Sequence, residues 1–575
     1  MAAPVNAAID GESPRAAISP LVPVLVPIAL AAIVAGFVFS RLFPAATAGE
    51  AAPSVRFTDV TADSGLDFFH DNGSQPDMDT PTTLPGAVAF LDYDNDGFPD
   101  LFFVAGTAWP WNPPTAAAPT CALYHNDGKG HFTNVTRQAG LDVNLLGMGV
   151  AVGDYEGDGY PDIFVTGIGG NRLFRNQGNG TFVDVTDAAG VRGDDHVWST
   201  GAVWVDLYGD GRLDLVVCNY ARWARETSLR DALNAQANGP SYTSPEGFVS
   251  EFPTVYRNLG NGKFAKVEAR TGLEMIDRQT GFPRANPLAV AAVDANGDGK
   301  LDLLFAYQSG PDVLFVNQGD GTFRQWNPPA EERREGVVAG LVGGGSLSLP
   351  RQRQEGSRFG ILRSAGLALG AGSEDEAYCH LGDRLGVALL DYDLDGRMDI
   401  VSGNGLAEPG LAHFEHGREF LAAPSLLWNN GHGWAPAPLP ADSAIGGRMA
   451  ARGIAVADIY GNGNLDVVIA QNGGTPRLLR NDQHLHNSWL RIDLVGTHCQ
   501  RDAGGARVEV HTPSGVLVQT MEPAMGFMAQ SEKTLTFGLG ADARVRKIVV
   551  RWPSGVLQEV RTSTVNRWIV ITEPQ

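Results

Sequence analysis

Cysteine is scarce in this chain, with four in 575 residues: Cys121, Cys218, Cys379 and Cys499. No two of them form a CxxC pair, so a zinc ribbon or a thioredoxin-like site has no ligands to draw on. A disulfide remains open to an oxidising compartment, but its pairing is not legible in sequence. Cys218 ends the run Leu215-Val216-Val217-Cys218 and reads as a small buried residue. Positive charge is also short. There are 43 Lys and Arg against 65 Asp and Glu, a net charge of −22. That balance excludes nucleic acid as a partner, because neutralising phosphates takes Lys and Arg. A GxSxG elbow, an HExxH helix and a P-loop are all missing, so no familiar hydrolase or nucleotide chemistry is signalled.

What the chain does have is glycine and proline, 71 and 35 residues, as turn-rich β proteins require. It also has one long uncharged apolar run, Leu21 to Ser40, between Pro20 and Arg41. Twenty helical residues span about 30 Å, the thickness of a hydrocarbon core. Residues 1–20 then form a tail, 21–40 a transmembrane anchor and 41–54 an Ala- and Pro-rich linker. Ala46-Thr47-Ala48 offers the alternative of a cleaved signal. The bulk of the chain is therefore expected outside the cytoplasm, membrane-anchored at the periplasmic or cell surface, or secreted if cleaved.

The pattern DxDxDGxxD recurs six times. It is complete at Asp92, Asp94, Asp96, Asp100 and at Asp391, Asp393, Asp395, Asp399. Glu156 replaces one acid in Asp154, Glu156, Asp158, Asp162, and Asn296 one in Asp294, Asn296, Asp298, Asp302. Two copies carry Tyr at the third position, Asp206, Tyr208, Asp210, Asp214 and Asp458, Tyr460, Asn462, Asp466. Short apolar stretches flank each copy, such as Ala87–Leu91 before and Leu101–Val104 after. Their length and β-branched content predict buried strands joined by the acidic loop.

A second signature follows each loop: an apolar pair, an Asn-x-Gly turn and an aromatic, as in Leu123 to Phe132 and Leu173 to Phe182. It describes a tight hairpin. Each unit thus supplies about four strands, the content of one propeller blade. Six blades are clear. A seventh is expected near Glu335 to Tyr378, where successive loops stand farthest apart, and an insertion is expected around Arg222 to Pro253. Phe57-Thr58-Asp59-Val60-Thr61 matches the hairpin ending that the last unit lacks, so this strand is expected to complete the final blade.

Calcium takes six to eight oxygens from carboxylates, amides and backbone carbonyls. Positions 1, 3, 5 and 9 supply side chains here, and position 7 (Phe98, Tyr160, Arg212, Lys300, Arg397, Asn464) its backbone carbonyl. Gly at position 6 permits the reversal around the ion. Without a cation, charges ~4 Å apart repel by about 4 kcal/mol at an effective dielectric of 20. The six loops hold 20 of the carboxylates, nearly the whole charge excess. An EF-hand fails, since it needs flanking helices and Glu at position 12, where Phe103, Val165 and Phe305 stand.

These units resemble the FG-GAP/VCBS repeat proteins, similar to the integrin α-subunit propeller. Trp489–Gly496, Arg501–Val508, Phe537–Gly540 and Trp552–Gly555 resemble the ASPIC/UnbV domain, and the combination is similar to the cartilage acidic proteins. The resemblance implies calcium in the blade loops and a role in surface interactions, with no known reaction. The expected organisation is all-β. A seven-bladed propeller over 55–482 with structural Ca²⁺ ions precedes a small sandwich-like domain over 483–575.

The expected function is a binding scaffold for protein or glycan partners. The alternative is a propeller hydrolase or lyase with its site at the central channel mouth. A tethered assembly factor for an envelope complex is a third reading. His413, His416 and His432 read as surface polar groups, and Arg192-Gly193-Asp194 is too short to carry an adhesion function.

Overall fold

The apolar stretches on either side of each acidic loop pair with each other. The computed structural model describes residues 52–575 apart from 73–79, 107–108, 110–118, 224–225, 228–248, 268–269, 277–285, 308–312, 327–337, 340–345, 348–385, 406–418, 432–433 and 523–527. The expected anchor, the tail, most of the linker and most of the insertion after Arg222 lie outside the described residues. Among those described, no helix is long and apolar enough to cross a membrane.

The protein is all-β. Its α-helices among the described residues are as short as Thr136–Ala139 and Thr186–Ala189. Among the described residues, six four-stranded antiparallel meanders follow one another. The first is Val88–Leu91, Asp100–Phe103, Ala122–Asn126 and Phe132–Asn134. The second runs from Leu146–Gly153 to Phe182–Asp184, the third from Val197–Val205 to Lys263–Lys266, and the fourth from Pro287–Val293 to Phe323–Gln325. The fifth runs from Gly386–Leu390 to Trp434–Pro436. The sixth takes three strands from Ala451–Asn481 and borrows its outer one, Phe57–Asp59, from the other end of the described chain.

That borrowed strand places Phe57 opposite Asn481 and buries it completely. The hairpin ending at Phe57 therefore does complete the final unit, in a propeller-like arrangement. Of the region around 335–378, only the ladder Val338–Ala339 with Ser346–Leu347 is described.

Burial explains the sequence pattern. The inner strands Val88–Leu91 and Asp100–Phe103 are buried at every position, while the outer strand Phe132–Asn134 buries only Phe132. Continuous apolar runs belong to strands covered on both faces.

The C-terminal domain packs two sheets. One holds Ser488–Val495, Leu535–Gly540 and Arg567–Thr572, the other Arg507–His511, Val516–Thr520, Lys547–Arg551 and Leu557–Val560. Leu490 and Ile492 of the first meet Val508, Val510 and Ile548 of the second in one core. Cys121, Cys218 and Cys499 are free thiols, and Cys218 is fully buried.

Candidate metal centres

All six acidic loops share one backbone skeleton. The first carboxylate accepts the amides four and five residues on: Asp92 from Asp96 (3.0 Å) and Gly97 (2.9 Å), Asp391 from Asp395 (3.0 Å) and Gly396 (2.9 Å). Asp154, Asp206, Asp294 and Asp458 repeat this with Asp158 and Gly159, Asp210 and Gly211, Asp298 and Gly299, and Asn462 and Gly463. The ninth residue locks the loop to its hairpin. Asp100 accepts Tyr93 N (3.2 Å) and Asn126 N (2.8 Å), as Asp162, Asp214, Asp302, Asp399 and Asp466 accept the matching amides.

The hairpin asparagine does more than turn the chain. Its side-chain amide reaches the second-position carbonyl of the preceding unit's loop: Asn176 to Tyr93 O (2.8 Å), Asn258 to Tyr155 O (3.0 Å), Asn317 to Leu207 O (3.3 Å) and Asn481 to Tyr392 O (2.8 Å). Asn126 closes the series onto Ile459 O (3.1 Å). Asn176→Ala is expected to cost about 1–3 kcal/mol in denaturant unfolding, the scale for stranding buried polar partners. A neutral result would deny these bridges a structural role. Position 7 covers the hairpin glycine. A Cβ on Gly128, which has φ 71°, would lie 2.5 Å from the Phe98 ring, and Tyr160 and Lys300 sit likewise against Gly178 and Gly319.

The loops differ in what faces their carboxylates. Two bring candidate ligands together. Asp92, Asp94 and Asp96 converge, as do the buried Asp391, Asp393 and Asp399, each set with donor atoms within 4.8 Å of one another. Elsewhere the chain supplies cations. Arg175 stands 3.7 Å from Glu156, and Lys300 3.1 Å from Asp298, beside Asn296, whose side chain accepts Asp298 N. Arg212 and Arg257 both face Asp210, with Arg257 4.1 Å above the Tyr208 ring. In the fifth meander Arg397 pairs with Asp395, while Trp428 Nε1 donates to Asp393 (3.0 Å).

His125, Arg175, Arg257 and Trp428 all occupy one position, the residue just before the hairpin asparagine. Sequence reading missed this position. Its signal is that the residue preceding Asn is the one aimed at the loop.

The second domain covers the loops. Arg491 Nη1 lies 3.3 Å from Asp458 Oδ2 and also pairs with Glu532, and all three side chains are buried. Asn464 of that loop hydrogen-bonds Gln483. Asp502 accepts Asp154 N (3.1 Å), Asn487 donates to Asp393 O (2.8 Å) and Gly540 N to Leu394 O (2.9 Å). A cavity of about 330 Å³ remains between the loops at 92 and 154 and this domain, with Arg491, Asp493, Arg501 and Trp568 in its wall.

Burial dominates the carboxyls. It raises Asp100 and Asp162 to about 9, Asp214 and Asp302 to about 7, and Asp92 and Asp154 to about 6, against the pull of the amides they accept. Burial and then neighbouring carboxylates hold Asp391 and Asp399 well above the ordinary range, and burial does the same for Asp466. Such groups ionise readily only when a cation shares the site.

Of the other singled-out residues, Arg192 is tied to Asp187 (2.7 Å) and Asp194 to Arg222 (3.0 Å). His413, His416 and His432 lie outside the described residues.

Residues 496–575 match the family described as ASPIC and UnbV, and residues 92–165, 155–217 and 294–340 match the FG-GAP-like repeat. The chain carries FG-GAP-like repeats and a C-terminal ASPIC/UnbV domain. It is homologous to cartilage acidic protein 1 over most of its length. Identity is 25% to the Xenopus tropicalis protein, covering 86% of this chain and 74% of the relative. It is 24% to the Mus musculus protein, covering 87% and 76%. Among solved structures, an Agrocybe aegerita lectin recognising non-reducing terminal N-acetylglucosamine aligns at TM-score 0.30, with 16% identity over 69% of this chain and 80% of that one. A Bacillus licheniformis rhamnogalacturonan lyase aligns at 0.31, with 12% identity over 74% and 75%.

Proposed function

We propose that this FG-GAP repeat protein is a calcium-stabilised interaction scaffold working outside the cytoplasm, a seven-bladed propeller whose surface meets protein or glycan partners. The observation that carries this reading is the buried trio Asp391, Asp393 and Asp399. Three carboxylates packed within 4.8 Å of one another call for a divalent ion. Asp395 and the Arg397 carbonyl complete an oxygen set of the kind calcium takes. The loops at 154 and 294 offer related sets. The loops at 206 and 458 lean on the chain's own Arg257 and Arg491 instead.

The seventh blade belongs between the fourth and fifth meanders, where successive acidic loops stand farthest apart in sequence. Homology to proteins named for cartilage supports an extracytoplasmic location, reached through an anchor at residues 21–40. Loops of modest affinity fill where calcium is at millimolar levels.

The test is metal analysis of the purified full chain after dialysis in millimolar calcium, joined to pull-downs from membranes with and without EDTA. Bound calcium that Asp391→Asn removes, and partners lost on chelation, are expected. A calcium-free protein would end this reading.

A further inference from the structure

Among the acidic loops, the first alone has a histidine at the position before its hairpin asparagine; the others have Arg175, Arg257, Val316, Trp428 and Arg480. His125 Nδ1 lies 3.4 Å from Asp94 Oδ2 and 3.4 Å from Asp100 Oδ1, the spacing of adjacent ligands on one ion. Nδ1 is buried and makes no hydrogen bond, and the buried Asp94 Oδ1 likewise makes none. Two orphaned polar atoms, one on the loop and one on the strand facing it, leave a desolvation cost that a shared ligand would remove. On the other side of the ring, Asp96 Oδ2 stands 3.9 Å from Nε2. The Tyr93 ring meets the imidazole edge-on at 6.1 Å and limits its rotation.

We infer that the first loop is a mixed nitrogen–oxygen metal site, formed by Asp94, Asp100 and His125, that takes a first-row transition ion such as Zn²⁺ or Mn²⁺ in preference to calcium. Calcium is a hard ion bound through oxygen, and an imidazole donor gains it little. Zinc accepts imidazole nitrogen and carboxylate oxygen in one shell. This assignment rests on the reading that the acidic loops are cation sites, and it sets the first loop apart from the all-oxygen loop at Asp391. Two kinds of ion would then hold one ring.

The experiment equilibrates metal-stripped full-length protein with micromolar zinc in millimolar calcium and measures both ions by elemental analysis, with zinc affinity from calorimetry. One zinc per chain is expected in the wild type. His125→Asn is expected to weaken zinc binding about tenfold or more while leaving the calcium count unchanged, and Asp94→Asn to weaken zinc as well. Zinc binding indifferent to His125→Asn, or no zinc taken up against calcium, overturns the assignment. Loss of calcium alone, with zinc still tracking His125, would instead fault the calcium reading of the loop at Asp391 and leave this site standing.

Discussion

Chelating calcium from the full chain is expected to lower its melting temperature by roughly 5–10 °C, and by more at pH 8 than at pH 5. An ion that binds only the folded state stabilises it by about 4 kcal/mol when present at a thousand times its Kd, and a protein this size converts that into a few degrees per site. The pH dependence follows from the carboxyls. Asp100 and Asp162 are raised by burial to about 9, from an ordinary value of 3.8. Without a cation the folded state keeps protons that the unfolded chain releases above pH ~4. Their contribution is full below that point and is lost as pH rises towards 9. With calcium bound, the ionised form is the one held, so the loss disappears. Melting curves in EDTA and in calcium should therefore diverge as pH rises. Parallel curves between pH 5 and 8 would refute the coupling.

Arg491→Met is expected to cost about 3–5 kcal/mol, measured by urea unfolding and by faster proteolysis between the two domains. Arg491 is the cation shared by Asp458 and Glu532, and removing it strands two carboxylates in a buried interface, the circumstance in which breaking an ion pair is most damaging. Burial raises Glu532 to about 7 even with Arg491 beside it. Adding Glu532→Gln to Arg491→Met should recover part of the loss by deleting one of the stranded charges. A change under about 1 kcal/mol would show that the pair is not what seats the ASPIC/UnbV domain on the loops.

Much of this arrangement is local, and local features were legible. The spacing Asp92, Asp94, Asp96, Asp100 specified the loop, the apolar stretches on either side specified its strands, and Phe57-Thr58-Asp59 announced its partner by copying a hairpin ending. Contacts between units were not legible. Nothing near Asn176 says that its amide crosses to Tyr93 of the neighbouring loop, because the periodic pattern fixes a turn and not what the turn touches. Arg491 sits in a strand of the second domain, Ser488–Val495, with nothing in its sequence neighbourhood to mark a partner. Its role exists only because the second domain rests on the loop at Asp458. His125 was hidden by variety, since the same position is arginine, valine or tryptophan elsewhere.

The outer strand of the sixth meander arrives from the opposite end of the described chain. Thr58 and Asp482 meet across 424 residues of sequence. Closing a loop of that length costs about 5 kcal/mol in chain entropy, and the contact cannot form until residue 482 has left the ribosome. The first of these strands to be synthesised is thus the last to be fastened. It waits like the open half of a buckle, with Phe57 exposed, while every later meander is made.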